Sequence, residues 1–178
     1  MLNRTFTAAL LAAAAVGCSP PAQQDAQRPP QPPAPQEIAC NMVTPDAARQ
    51  VSIVDAPLAA AAADLRGGRI APGVYDLASA QRIGAATGWQ GARAIALEVT
   101  EDAATGAVTL NWAGTTANSL TDRWTATLSE APQNRSRIAY TCGRIGEVDA
   151  SFTASARALE LRLADGASGE LQLSFLPR

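Results

Sequence analysis

Residues 159–175 read LELRLADGASGELQLSF, and this stretch decides the fold class. Leu159, Leu161 and Leu163 alternate with Glu160 and Arg162, and Leu171, Leu173 and Phe175 alternate with Gln172 and Ser174. In an extended chain successive side chains point to opposite faces, so each run presents one apolar and one polar face. Asp165 to Gly169 (DGASG) lies between the runs and is made of turn formers. The reading is an antiparallel hairpin with one dry and one wet side.

The same period of two extends upstream through most of the chain. Val108, Leu110 and Trp112 share a face, as do Trp124, Ala126 and Leu128. Ile138, Tyr140 and Cys142 form a third set; Val148, Ala150, Phe152 and Ala154 form a fourth. Ile95, Leu97 and Val99 make another strand, and the stretch from Gly73 to Ala80 one more. Turn-like breaks fall at residues 101–106 (EDAATG), 132–135 (PQNR) and 143–146 (GRIG), with longer connections at 82–91 and 114–121. About eight strands at this spacing suit a small antiparallel up-and-down β-barrel, whose closure removes the sheet edges that invite aggregation.

A short helical segment is expected ahead of the barrel. Thr44-Pro45-Asp46 offers a capping hydroxyl and a first-turn proline, and Asp55 to Arg66 runs through alanines to Gly67-Gly68. Arg49 to Val54 between them reads equally as a helix end or a strand. The expected organisation is one domain over residues 39–178, with a helical lead-in at 44–66 and strands across 70–176.

Residues 1–17 have the build of an export signal: Arg4, an apolar run from Phe6 to Val16, then small residues. The run is too short to cross a bilayer, which takes about 20 helical residues. Cys18 follows Ala15-Val16-Gly17, and here the chain resembles the lipobox of bacterial lipoproteins, with Ala15 standing where Leu is usual. That resemblance implies cleavage before Cys18, acylation of its thiol, and, with Ser19 next, sorting to the outer membrane facing the periplasm. Residues 18–38 are rich in proline and glutamine and poor in apolar bulk, the composition of an extended tether.

Composition excludes several function classes. There is no histidine and no lysine, and acids and arginines nearly balance, for a formal charge of −2. A nucleic-acid surface needs clustered basic residues, so that partner is not expected. Without histidine the commonest general base and metal ligand are missing. No catalytic residue, metal or cofactor is expected. The carboxylates Glu98, Glu101, Asp102, Asp122, Glu130, Glu147, Asp149 and Glu160 read as mostly outward or in turns, where they solubilise. With Cys18 acylated, Cys40 and Cys142 remain as an even pair in an exported chain and are expected to bridge.

Leu65 to Leu77 (LRGGRIAPGVYDL) pairs a glycine-proline lead with a strand bearing an aromatic. In this the chain resembles the entry strand of lipocalin-like, or calycin-like, small barrels, although Gly73-Val74-Tyr75 stands in place of their Gly-x-Trp. Trp112, Trp124 and Tyr140 on apolar parity read as core filling or as walls of a ligand pocket. Trp89, in the glycine-rich GAATGWQG (84–91), reads as a lid or as an anchor for a partner. The function expected is a membrane-anchored, non-enzymatic binding module for a protein or glycan in the envelope. The alternatives are a carrier of a small apolar ligand and a structural envelope protein.

Overall fold

The computed structural model describes residues 39–57, 65–116, 119–131 and 135–178. The expected signal, Cys18, the tether, the alanine run at 58–64 and most of the 132–135 turn lie outside the described residues. Nine strands follow in chain order: β1 (Val51–Ala56), β2 (Gly73–Gly84), β3 (Ala92–Glu101), β4 (Val108–Thr115), β5 (Leu120–Ala131), β6 (Arg135–Cys142), β7 (Glu147–Ala154), β8 (Leu159–Asp165) and β9 (Gly169–Pro177). They form one barrel-like sheet in sequence order, and β2 also pairs with β9 to close it. From β2 to β9 every pairing is antiparallel.

β1 corrects the expectation of a helical lead-in over residues 44–56, while 58–64 lie outside the described residues. Among the described residues there is no helix. At Thr44-Pro45-Asp46 the chain makes a single turn, with the Asp46 carbonyl accepting from Arg49 N–H at 2.9 Å and its carboxylate from Ala48 N–H at 3.0 Å. Asp55 and Ala56, assigned above to the helix, end a strand instead. The cause is non-local. β2 and β3 pair only over Gly73–Asp76 and Ala96–Val99, then part. β1 enters the gap, parallel to β2 through Ile53–Ala56 and antiparallel to β3 through Val51 and Ser52. It satisfies backbone groups that the parted strands would otherwise leave unpaired.

The two connections read as long are shorter than expected. β2 runs to Gly84 and β4 to Thr115, leaving 85–91 and 116–119 as loops. Added register pairs such as Gly84 with Gly169 and Thr115 with Leu120 draw those residues into the ladder.

The middle of the barrel is filled by side chains. Trp112, Trp124, Leu97, Leu110, Ile138, Leu159, Leu161, Leu173 and Phe175 are all buried in one cluster, as suits an eight-stranded barrel, whose interior is just wide enough for side chains. Burying each such large side chain is worth about 1.5–3 kcal/mol.

Outside the wall lies a second, smaller set of contacts. Cys40 is bonded to Cys142 at the end of β6. The next residue, Asn41, donates to the Trp112 and Trp124 carbonyls at 3.2 and 2.8 Å. Arg123 donates to the Asn41 and Val43 carbonyls at 2.8 and 2.7 Å. Val43 then packs on Ala96, Ala113 and Val74. The lead-in thus crosses the outer face of the sheet towards β2. There the buried carboxylate of Asp76 receives Arg49 at 3.0 Å and Arg178 at 2.6 Å. Hydrogen bonding to Asp76 raises the Arg178 pKa above its ordinary value.

Candidate functional site

Each end of the barrel is a mouth rimmed by alternate loops. One carries the 85–91, 116–119, 143–146 and 166–168 connections, and all four aromatics singled out in the sequence meet there. Trp112 and Trp124 are register partners on β4 and β5. Their rings therefore stack, with centroids 5.0 Å apart and planes 13° from parallel. Trp89 leans on Trp112 at 5.7 Å, and Tyr140 meets Trp124 edge-on at 5.3 Å. Phe175 abuts Trp112 from below at 5.9 Å.

Trp89 is a lid: only 5% of it is exposed. Its loop is held by Asp165, whose carboxylate accepts from Thr87 and Gly88 N–H at 2.8 and 2.7 Å. Arg82 donates to the Trp89 carbonyl at 2.9 Å, and the Arg93 guanidinium lies 5.0 Å from the Trp89 ring centre. Such cation–π contacts contribute about 0.5–2 kcal/mol, more when water is excluded. An exposed aromatic anchor is therefore not what Trp89 provides.

Beneath the lid is a cavity of about 250 Å³, bordered by all four aromatics together with Arg144 and Asp165. Arg144 belongs to the GRIG turn and stretches over Tyr140 and Trp124, 5.6 and 5.9 Å from their ring centres. Its guanidinium also meets Asp122 at 2.6 Å, and Asp122 accepts from the Trp112 indole N–H at 3.0 Å. The Trp124 indole N–H, by contrast, is buried without a hydrogen-bond partner among the described residues. Ile145, at the tip of the same turn, is fully exposed. Sequence reasoning missed Arg144, Asp122 and Asp165. For Asp122 and Asp165 a signal existed, because each continues the inward parity of its strand by one step.

The opposite mouth holds a larger cavity of about 540 Å³. Its wall includes Glu101 and Glu130, read above with the mostly outward or turn-borne carboxylates. They are the terminal inward positions of β3 and β5, in step with Leu97 and Val99 and with Ala126 and Leu128. Arg69 meets Glu101 in a two-pronged pair at 3.0–3.2 Å.

Among the described residues no group of three or more acidic or cysteine side chains is placed to hold a metal ion. Two acids away from the aromatic mouth have shifted pKa values. Burial raises the Tyr75 phenol, which donates to the Ala71 carbonyl at 2.7 Å. Hydrogen bonds from Thr105 and Ala104 lower the Asp102 carboxyl.

No family model matches the chain, and no curated protein sequence matches it. Among solved structures, a de novo designed fluorescence-activating β-barrel is similar at a TM-score of 0.42 and 12% identity, over 61% of this chain and 94% of the designed one. An overlap of that extent says nothing about what this chain binds.

Proposed function

We propose that this chain is a lipid-anchored envelope protein whose barrel serves as a binding module, with the aromatic mouth as its recognition surface. The lipobox-like run ending in Cys18 and the proline-rich tether support the anchoring. One observation carries the binding role: Trp89, Trp112, Trp124 and Tyr140 border a single cavity under the Arg144–Ile145 turn. Aromatic and arginine side chains grouped with an exposed apolar residue are the usual make-up of an interaction hot spot. A protein side chain or a sugar ring of a glycan is the group this mouth would take, with Arg144 supplying donors and Tyr140 a partly exposed ring. Carriage of a bulky apolar ligand through the barrel centre has less support, because Trp112, Trp124 and Phe175 fill it.

The test has two arms. A photo-crosslinking residue at position 145, in cells, should yield a discrete protein adduct that the same residue at position 105, on the other mouth, does not. Alternatively, N-acetylglucosamine oligomers should move the indole N–H resonances of Trp89 and Trp124 in the full chain. If position 145 gives no adduct beyond that at 105 and the indoles stay still, the aromatic mouth is core packing and the reading falls. An intact mass carrying acyl chains on Cys18 tests the anchor independently.

A further inference from the structure

We propose that the mouth opposite the aromatic one is a second binding site, built for a small amphiphilic cation: an apolar body bearing an ammonium or similar head. The floor of the roughly 540 Å³ cavity is Ile70, Val108, Leu128 and Phe152, and its rim is Glu101, Glu130, Ser136 and Arg69. A volume of that size lies in the range of small-molecule sites, about 300–1,000 Å³.

The carboxylates are the telling feature. Along β5 the inward positions run Trp124, Ala126, Leu128, Glu130, and along β3 they run Ile95, Leu97, Val99, Glu101. Where the period calls for another apolar residue, both strands supply an acid. Ser136 is Glu130's register partner on β6 and shares the inward parity of Ile138. It is buried. An acidic rim over an apolar floor matches an amphiphile whose charge is positive.

Glu101 is already engaged, since Arg69 reaches it from the segment that crosses this mouth. That segment is fixed: Gly67 N–H donates to the Phe152 carbonyl at 2.7 Å, and the Gly67 carbonyl accepts from Ala154 N–H at 3.1 Å. Arg69 thus displays within the protein the contact a cationic guest makes. Glu130 has no ionic partner among the described residues, so it is the carboxylate left for the guest's head. The tail then covers Leu128 and Val108, which the protein itself leaves only half buried. Burying apolar area there drives binding, and the carboxylate selects the sign of charge.

The probes are octylammonium, octanol and octanoate, each titrated into the full chain and followed by backbone amide shifts and calorimetry. Octylammonium should bind at least tenfold tighter than octanoate, weaken with added salt, and move resonances of Val108, Leu128 and Phe152. Glu130→Gln, at an exposed rim position that leaves the fold intact, should abolish the preference for the cation while the Leu128 shift persists with octanol. Arg69→Ala, which frees Glu101, should tighten octylammonium several-fold. Equal binding of the three probes, shifts confined to the aromatic mouth, or no binding at all would each overturn the proposal. So would a charge preference that survives Glu130→Gln, or weaker octylammonium binding in Arg69→Ala.

Discussion

Replacing both bridged cysteines, Cys40→Ser with Cys142→Ser, tests how the barrel depends on its lead-in. The bond spans a sequence separation of 102 residues. In the chain-entropy model a loop of that length restricts the unfolded chain by about 4.7 kcal/mol at 25 °C. Typical domains have only about 5–15 kcal/mol in total. For the roughly 140-residue barrel region the loss corresponds to a fall in melting temperature of about 16 °C. The native side of the balance should barely move, because Asn41 and Arg123 hold the lead-in by hydrogen bonds that do not involve the sulfurs. Urea titration of oxidised wild type and the double serine variant measures the difference. Near-ultraviolet circular dichroism, dominated by the stacked tryptophans, reports whether the native packing survives. The expected result is a loss of about 4–5 kcal/mol, with an unchanged aromatic spectrum. A loss under about 1 kcal/mol would refute the loop-entropy reasoning. A changed tryptophan spectrum would instead place the effect in the native barrel.

Three other outcomes follow from contacts already described. Asp76→Asn leaves Arg49 and Arg178 without their carboxylate on the outer face of β2 and should cost about 2–3 kcal/mol by denaturant titration; no loss would mean the arginines are equally well placed in water. Asp165→Ala removes two of the bonds that fix the Trp89 loop, leaving that from Arg82, and should cost about 1–3 kcal/mol. In that variant Trp89 emission should shift to the red and become open to iodide, whereas wild-type Trp89 should resist quenching. For Asp102, the folded pKa lies below the ordinary value of 3.8, so its contribution to stability is present above that value and is lost as pH falls through the folded one. Carbon-13 titration should place its midpoint below that of an ordinary aspartate, and Asp102→Ala should flatten this part of the acid limb; a normal midpoint refutes the turn's role.

The β8–β9 hairpin was legible because both faces of each strand constrain the alternation and the turn between them is short. β1 was not legible. Val51 and Ile53 alternate with Ser52 and Val54 for too few residues, and the partner that makes them a strand is a gap between β2 and β3 that only the closed barrel creates. The candidate aromatics were identifiable by parity, but parity gives the face and not the height along the barrel. That Trp112 and Trp124 lie side by side depends on the β4–β5 register, which shifts between Gly114 and Thr115. Arg144 sits in a turn, where no period applies. Glu101 and Glu130 were within reach of the sequence, since one further step of the alternation turns both inward.

The bond between Cys40 and Cys142 also sets where tension would enter the molecule. Any pull transmitted through residues before Cys40 is delivered to the end of β6, which is held to β5 through seven register pairs. The lead-in over the outer wall and the wedged β1 lie behind that point and stay slack. Reduction moves the hitch to Asn41, and the same pull then peels the lead-in away bond by bond.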